Sequence, residues 1–207
     1  MRVAVFGATG GVGRWLMAIA RENEDHLKIL ARDPSELPGD LGAIGVVRGD
    51  VLDREAVDAT AGGCDVVFFA LGPRGPGPPD FYARAISNVV AAMQRASITR
   101  LLAVSCAGVE DDPNLGFFTR RIVVPFARRR EFADLTAMER AIRESGLVWT
   151  IVRPPPFTDG PRTGLYRAND RFLPEGGREI SRADVADFMH RVIVDERTIR
   201  KTAALAY

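Results

Sequence analysis

The stretch RVAVFGATGGVG, from Arg2 to Gly13, decides how this chain of 207 residues folds. Its first part, Arg2 to Phe6, is a short apolar run rich in residues that favour β-strands. A glycine-rich turn follows at once, and the residues from Arg14 to Glu22 have the pattern of a helix. A strand, a tight glycine turn and a helix in this order open a dinucleotide-binding βαβ unit.

Three glycines of this turn have separate tasks. Gly7 allows a sharp turn off the strand, Gly10 lets the backbone approach a pyrophosphate, and Gly13 lets the helix pack closely on the sheet. N–H groups and the helix dipole at the helix start favour the phosphate charge. The spacing is Gly-x-x-Gly-x-x-Gly, which also suits a tight strand–helix turn that binds nothing. The position of the turn, directly after an N-terminal strand, favours nucleotide binding.

The composition is that of one globular domain spanning residues 1–207, with 46% hydrophobic and 27% charged residues and a net charge of +1. This balance gives no reason to expect binding to nucleic acid or to a membrane. The two cysteines, Cys64 and Cys106, lack metal-ligand spacing, and the first strand follows no basic and apolar leader. We expect a cytoplasmic protein without a metal, a monomer or weak homodimer whose partner is a small molecule.

The residue after the second strand selects between the two nicotinamide dinucleotides. That strand is predicted at Leu27 to Ala31, and Arg32 follows it. At this point of the fold an acid binds the ribose hydroxyls of NAD, whereas an arginine favours the 2′-phosphate of NADP. Ser35 is a second candidate donor to that phosphate, and Asp33 begins a turn. The alternative is that Arg32 is a solvated surface arginine.

Candidate ligand residues also follow the third and fourth predicted strands. After the strand Ile44 to Arg48 comes Asp50, which can accept a hydrogen bond from the adenine amino group or bond its own backbone as a turn aspartate. After the fourth strand comes the Gly/Pro-rich run 71–79, which is too long for a minimal turn. Within it, Gly72 permits a close backbone approach, and Arg74 can contact phosphate or substrate.

Two more strand ends carry candidate residues. Ser105 and Cys106 follow the strand predicted at Leu101 to Val104. The run Pro154 to Phe157 follows the strand at Val148 to Val152, and its three prolines form either a stiff wall for one face of a flat ring or merely a stiff exit loop. Because the carboxyl ends of parallel strands share one edge, we expect a single cofactor groove there. The predicted fold is α/β, a single Rossmann-like doubly wound parallel sheet with helices on both faces.

The remaining segments are less specific. The stretch Phe117 to Phe132 mixes aromatic residues with arginines, and the near-zero net charge favours an amphipathic helical region with a solvated face over a nucleic-acid patch. Residues 160–177 are polar, and we expect them to be irregular and to shape the acceptor pocket. Asp53 is the predicted N-cap of a helix from Arg54 to Thr60, and Ser181 is the predicted N-cap of a helix from Arg182 to Val194. Thr202 to Ala206 is a final strand.

The chain lacks the tyrosine–lysine pair with which short-chain dehydrogenases relay a proton to an alcohol or ketone. None of the three tyrosines, at positions 82, 166 and 207, is followed by a lysine four residues on. Neither His26, before the second strand, nor His190, in the late helix, is placed to replace the pair. The protein therefore either passes hydride to an acceptor that needs little acid catalysis, such as a flavin or another conjugated system, or binds NADP without turnover.

Motifs spread along the whole chain resemble one family, the NADPH-dependent flavin reductases and biliverdin-IXβ reductases, within the atypical short-chain dehydrogenases related to NmrA-like proteins. The glycine turn is shared by many families, and its combination with the later motifs is more specific. The resemblance implies a Rossmann-like domain, NADPH, and hydride transfer from nicotinamide to a flavin or linear tetrapyrrole. The motifs are Phe6-Gly7-Ala8-Thr9-Gly10, Arg32-Asp33, Gly49-Asp50-Val51-Leu52, Leu71-Gly72, Arg143-Glu144-Ser145-Gly146-Leu147, Pro154-Pro155 and Thr163-Gly164-Leu165-Tyr166.

The resemblance also implies roles by position. The glycine turn holds the pyrophosphate, the arginine after strand two holds the 2′-phosphate, an aspartate–valine pair flanks the adenine, and two loops line the ribose and nicotinamide. In chain order these residues are Gly7, Thr9, Gly10, Gly11 and Val12, then Arg32, then Asp50 and Val51, then Leu71, Gly72, Pro73 and Arg74, and then Pro154 and Pro155. Pro156 and Phe157 continue the expected wall.

Two positions depart from the family pattern. Cys106 stands where reductases of this family tend to carry a serine, with Ser105 just before it, and Pro156 stands where they tend to carry a histidine. We expect Ser105 or Cys106 to act in catalysis, and Cys106 also suits a small buried position.

The leading hypothesis is an NADPH-dependent reductase of a flavin or bilin, with solvent as the proton donor. The alternative is a non-catalytic NADP(H)-binding redox sensor or regulator of the NmrA type, with the arginine-rich segment 120–130 as its docking face. A sugar-nucleotide epimerase is a third possibility, which the missing tyrosine–lysine pair disfavours.

Overall fold

The computed structural model describes residues 1–37, 44–72, 78, 80–116 and 129–207. Strands and helices alternate through most of these ranges. The strands are β1 Arg2–Phe6, β2 His26–Ala31, β3 Gly45–Arg48, β4 Val66–Phe69, β5 Arg100–Val104, β6 Val148–Arg153, β7 Phe157–Thr158, β8 Arg167–Asp170, β9 Ile180–Ser181 and β10 Lys201–Ala206. The α-helices are α1 Gly11–Glu22, α2 Arg54–Ala61, α3 Phe81–Arg95, α4 Arg129–Glu144 and α5 Arg182–Arg191.

The main sheet has the strand order β3-β2-β1-β4-β5-β6-β10-β8. Neighbouring strands run parallel throughout, except that β8 lies antiparallel to β10 at one edge. The strand β1 has β2 on one side and β4 on the other, so the order of the strands reverses at this point. In sheets of this kind the crevice for a ligand opens at the carboxyl ends of the strands beside such a reversal. The topology confirms the predicted doubly wound α/β fold.

Helices cover both faces of the sheet, and β1 shows why its sequence is continuously apolar. Val3 and Val5 join the core beneath α1 and α5, whereas Ala4 and Phe6 join the core beneath α2, α3 and α4. All four side chains are fully buried. Successive side chains of a strand point to opposite faces, so a strand covered on both faces has no polar alternation.

Side-chain caps fix where several helices begin. Asp53 accepts a hydrogen bond from N of Glu55 at 3.0 Å at the start of α2, and Ser181 accepts one from N of Asp184 at 3.0 Å at the start of α5. Both caps confirm the sequence predictions, which rest on the preference of aspartate and serine for this position.

The helix α3 is capped from a distance. Its own N-cap residue, Asp80, has a left-handed backbone conformation and makes no side-chain cap hydrogen bond. Asp134 of α4 accepts hydrogen bonds instead from N of Tyr82 at 2.9 Å and from N of Ala83 at 3.0 Å. This contact joins α3 and α4, which pack on the same face of the sheet.

The expectation that residues 160–177 are irregular is wrong for four of them. Arg167–Asp170 forms the edge strand β8, paired with β10. All four side chains are exposed, so no apolar alternation marks the strand in the sequence. Its backbone pairing and an ion pair between Lys201 and Asp170 at 2.9 Å hold it instead. The late helix also ends earlier than predicted, at Arg191, and residues 192–194 form a short 3₁₀ turn.

Residues 117–128 of the arginine-rich stretch lie outside the described residues, and α4 begins at Arg129. Across the described ranges, the structure contains no helix with the length and apolar character needed to span a bilayer.

Candidate active site

A cavity of about 830 Å³ opens at the carboxyl ends of the parallel strands. The last residues of β1, β2 and β5 line it, as does Ala70 directly after β4. Its volume is within the range of roughly 300–1,000 Å³ that is common for small-molecule sites. Most residues singled out from the sequence meet in this cavity. They are Gly7, Thr9, Gly10, Gly11, Val12, Arg32, Asp50, Val51, Leu71, Gly72, Ser105, Cys106, Pro154, Pro155, Pro156 and Phe157.

Three predicted residues are not in that group. Ser35 does not line the cavity, and Pro73 and Arg74 lie outside the described residues.

The glycine turn has the shape of a phosphate cradle. Gly7 has a φ of +98°, and a Cβ on it would lie 2.9 Å from N of Leu71, while a Cβ on Gly13 would lie 2.7 Å from Cα of Ala8. The N-cap of α1 is Gly10, which leaves the first N–H groups of the helix without a side-chain acceptor. The missing Cβ atoms let the turn and the helix pack closely on the neighbouring backbone, and N–H groups at the start of a helix suit a pyrophosphate. The residues present therefore fit a dinucleotide.

Arg32 lies at the end of β2 on the cavity wall, with an exposed side chain. It forms no ion pair within the part of the chain that the structure describes. The neighbouring turn is organised by Asp33, which accepts hydrogen bonds from N of Ser35 at 3.0 Å and from its hydroxyl at 2.7 Å. These hydrogen bonds lower the pKa of Asp33. The Ser35 hydroxyl is thus used within the turn, and Arg32 is a cation available to a phosphate at this wall.

The structure shows one of the two roles that the sequence left open for Asp50. Its Oδ1 accepts a hydrogen bond from N of Leu52 at 2.9 Å, which is the bond of a turn aspartate. The residue also lines the cavity beside Val51 and is half-buried. The turn therefore holds the carboxylate at the place where an adenine amino group is expected.

Ser105 presents the most unusual polar atom of the site. The residue is 7% exposed, and its Oγ is buried without a hydrogen-bond partner among the described residues. Its backbone N donates to O of Val152 at 2.8 Å, which fixes it beside β6. Cys106 also lines the cavity, and its thiol lies 3.2 Å from O of Ala107. Buried hydroxyls in proteins nearly always have a hydrogen-bond partner. Ser105 Oγ is therefore a candidate for a hydrogen bond to a ligand in the cavity.

The proline run forms one wall of the cavity. Pro154 and Pro155 are buried, Pro156 is exposed, and Phe157 is half-buried. The carbonyl of Pro154 accepts from N of Ala107 at 2.9 Å, and β7 pairs with β9 directly after the prolines. Hydrogen bonds on both sides of the run, together with the fixed φ of proline, make this wall rigid.

An ion-pair network that is buried at Arg153 and Glu139 and partly exposed at Glu110 and Arg171 lies behind the wall. Arg153 bonds Glu139 at 2.6 Å and Glu110 at 3.1 Å, and Arg171 bonds Glu110 at 2.7 Å. Burial lowers the pKa of Arg153, but its bonds to the two glutamates outweigh this and raise it. The bond from Arg153 is the main reason why the pKa of Glu110 is lowered to about 2. The network keeps Arg153, the residue before the prolines, in one position.

Two tyrosines, one in the segment after the wall and one at residue 207, bond carboxylates of α5. Tyr166 donates to Asp187 at 2.9 Å, and burial, followed by this bond, raises the pKa of its phenol. Tyr207 donates to Asp184 at 2.7 Å. Neither ring lines the cavity, whereas Tyr82 does. The described residues that line the cavity include no lysine and no histidine.

Several cavity residues were not found from the sequence. Glu131 and Phe132 come from the first turn of α4, and Arg182 comes from the first turn of α5. The predicted cap at Ser181 places Arg182 at the start of a helix, but only the pairing of β7 with β9 brings that helix to the cavity. The first turn of α4 is the end of the arginine-rich stretch, where the sequence predicts a helix and not the end of a strand.

A family described as NAD(P)H-binding matches residues 7–196, from the glycine turn to beyond α5. The chain therefore belongs to this NAD(P)H-binding family. The match, with the fold, confirms the nicotinamide dinucleotide as the cofactor and the predicted NAD(P)-binding Rossmann-like class.

Individual relatives fit the same class. A (4-alkanoyl-5-oxo-2,5-dihydrofuran-3-yl)methyl phosphate reductase of Streptomyces griseus is 36% identical over 155 residues, which cover 75% of this chain and 48% of that protein. The chain thus spans about half the length of this curated relative.

Two solved structures share the fold. A short-chain dehydrogenase/reductase of Veillonella parvula in complex with NADP aligns with a TM-score of 0.87 and 16% identity over 100% of this chain and 94% of its own. An anaerobilin reductase of Escherichia coli O157:H7 aligns with a TM-score of 0.78 and 22% identity over 100% of this chain and 97% of its own. At these identities the likeness is one of fold.

Proposed function

We propose that this protein is an NADPH-dependent reductase that transfers hydride to a flavin or a linear tetrapyrrole. The observation that carries the proposal is the unpartnered, buried hydroxyl of Ser105, which lies in the same cavity as the glycine turn and the proline wall. A dinucleotide laid from Arg32 past the glycine turn would bring its nicotinamide to this end of the cavity.

The preference for NADPH rests on Arg32. Its exposed guanidinium lies on the cavity wall at the end of β2, where the 2′-phosphate of the adenosine is expected. A guanidinium binds a phosphate through charge-assisted and often paired hydrogen bonds, whereas the unphosphorylated ribose of NADH gains little from it.

At the other end of the cavity, the chain positions two flat rings and supplies one hydroxyl. Pro154 and Pro155 offer a rigid apolar face to the nicotinamide, and Ser105 Oγ donates to a carbonyl oxygen of the acceptor, a group that flavins and bilins both carry. Bound NADPH would supply a hydride, which carries one hydrogen and two electrons to the acceptor, and would become NADP⁺. Solvent would supply the proton that completes the reduction. The extended conjugation of such acceptors spreads the charge, so that a protein acid is not required.

The named relatives support a reductase. The curated relative from Streptomyces griseus is named a reductase, and so is the enzyme of the same fold from Escherichia coli, which is named for anaerobilin. A bilin-type acceptor and a flavin both fit a wall made of prolines and aromatic residues, because each is flat and apolar over most of its surface.

The test is oxidation of NADPH by the purified protein, followed by absorbance, with FMN, FAD, riboflavin or biliverdin present and NADH run in parallel. We expect one acceptor to accelerate the loss of NADPH, and NADPH to be oxidised faster than NADH. If no acceptor accelerates it while NADPH still quenches the protein fluorescence, the protein binds the cofactor without turnover.

That second outcome is the sensor hypothesis, and one observation favours it. Pro156 lines the cavity where reductases of this family tend to carry a histidine. In that case Pro156→His should introduce measurable NADPH oxidation into a protein that had none. Most of the expected docking segment 120–130 lies outside the described residues.

A further inference from the structure

The side chain of Arg182 packs against the glycine turn at the wall of the cavity. It is the first residue of α5 and lines the cavity together with Gly11 and Phe157. A Cβ on Gly11 would overlap Cδ of Arg182 and lie 2.7 Å from its Nε. The side chain therefore packs directly on the backbone that forms the phosphate cradle.

The position of this arginine is fixed from both of its ends. The pairing of β7 with β9 places Phe157 opposite Ile180 and Thr158 opposite Ser181, so that the residue after Ser181 must lie beside the proline wall. The guanidinium carbon is 5.1 Å from the centre of the Phe157 ring. Such a cation over an aromatic face is held in orientation without losing its hydrogen-bond donors.

The present partner of the guanidinium is a surface carboxylate. Arg182 Nη1 donates to Asp159 Oδ1 at 2.6 Å and to O of Thr158 at 3.4 Å. The side chain of Asp159 is 90% exposed and that of Arg182 is 31% exposed. An ion pair so close to water contributes little to stability and is easily exchanged for a stronger anion. A phosphate group offers the guanidinium two parallel hydrogen bonds and more charge.

We propose that Arg182 binds the pyrophosphate of the nicotinamide dinucleotide and releases Asp159 when it does so. The arginine closes the cradle from above while the N–H groups of the glycine turn hold the phosphates from below. Asp159 then acts as a competing anion that lowers the affinity for the cofactor. The inference rests on the proposed function only in its choice of NADPH as the cofactor, and it needs no turnover.

The experiment measures dissociation constants for NADPH and for adenosine 2′-monophosphate, which carries the 2′-phosphate but no pyrophosphate. The variants are Arg182→Met, Asp159→Asn and the control Arg191→Met, which removes an arginine of the same helix that pairs with Asp187 outside the cavity. Binding is followed by fluorescence titration, and the thermal midpoint of each variant is recorded.

We expect Arg182→Met to raise the dissociation constant of NADPH about 10-fold, because charged hydrogen bonds to the pyrophosphate are lost. The dissociation constant of adenosine 2′-monophosphate should stay unchanged. Asp159→Asn should tighten NADPH by about 2- to 5-fold, since a surface pair of this strength is removed. Arg191→Met should change neither constant. If Arg182→Met weakens both ligands equally, or if Asp159→Asn weakens NADPH, the arginine is a structural residue and the proposal is overturned. A protein that shows these binding results without any turnover would refute the reductase but not this role of Arg182.

Discussion

Single residues decide the chemistry at the two ends of the cavity. Arg32 and Ser105 each present a polar group that the described part of the protein leaves unpaired, one cationic and exposed, the other neutral and buried. Ser35 shows the opposite case, because its hydroxyl is already engaged by Asp33. Whether a polar side chain is available to a ligand therefore depends on its local hydrogen bonds as much as on its type.

Replacing Arg32 with glutamine should abolish the preference for NADPH. The loss of charged hydrogen bonds to a phosphate costs about 1.5–3 kcal/mol, so the dissociation constant of NADPH should rise roughly 10- to 100-fold, while that of NADH changes little. Fluorescence titration with both nucleotides measures this. Arg200→Gln, an exposed arginine before β10, serves as the control and should leave both constants unchanged. An equal loss for NADPH and NADH would contradict a role at the 2′-phosphate.

Replacing Ser105 with alanine should separate catalysis from stability. Its Oγ has no partner in the described structure, so its removal should not lower the free energy of unfolding. Reduction of the acceptor should slow by ~100-fold in kcat, the lower end of the loss expected for one donor to a developing negative oxygen.

The same measurements on Cys106→Ala show which of the two neighbours carries the chemistry. Ser87→Ala on the exposed face of α3 is the matched control for the substitution itself. A Ser105 variant with unchanged kcat and reduced stability would make the hydroxyl a structural group.

At the scale of elements, close approach between backbones determines how the site is built. The helix α1 can pack closely on β1 because Gly13 has no Cβ. The helix α3 can begin at the cavity because Asp134 of α4 accepts hydrogen bonds from its first backbone N–H groups. The small sheet of β7 and β9 plays the same part for α5, because it aligns the first turn of that helix with the proline wall.

The change Gly13→Ala tests the packing of α1 directly. A Cβ at this position would overlap O of Gly7 and lie 2.7 Å from Cα of Ala8, so we expect a loss of about 1–3 kcal/mol in unfolding free energy despite the better helix propensity of alanine. Urea unfolding measures it. Gly160→Ala is the control, since a Cβ there meets its neighbours at 3.6 Å or more and should be nearly neutral. Equal stability of the two variants would show that α1 can move away without cost.

At the scale of the whole molecule, one buried ion pair, Arg153 with Glu139, and the partly exposed pairs of Glu110 support the wall of the cavity. Arg153 stands behind the prolines with Glu139 and Glu110, and Arg171 of the loop after β8 bonds the same Glu110. Removing one partner from a buried pair leaves the other charge unpaired, which is far more costly than losing a surface pair. The wall and the edge strand β8 are thereby linked through one carboxylate.

Acid should weaken the protein through this network. The pKa of Glu110 falls from its ordinary value of 4.5 to about 2 on folding, mainly through Arg153. A lowered folded-state pKa stabilises the protein fully above the unfolded value and ceases to do so as the pH falls toward about 2. Glu110→Gln should therefore be less stable at pH 7, and should lose less stability between pH 7 and pH 3 than the parent protein. The measurement is the urea midpoint of unfolding across this pH range, with Glu175→Gln at an exposed position as the control. If the midpoints of all three proteins change with pH in parallel, Glu110 has no part in the acid sensitivity.

The sequence by itself determined the α/β order, the glycine turn, the class of cofactor and the strand ends that meet in the cavity, because these depend on periodicity and on turn chemistry within a few residues. It also predicted the helix starts at Asp53 and Ser181, where cap and helix are adjacent. Only the tertiary structure decided that β8 forms, that Ser35 is engaged within its turn, that Ser105 is left unpaired and that Arg182 reaches the glycine turn. These features depend on contacts between residues distant in the chain, or on which acceptor a side chain finds. Local sequence patterns do not predict such contacts, because the packing of the whole sheet determines which groups come together.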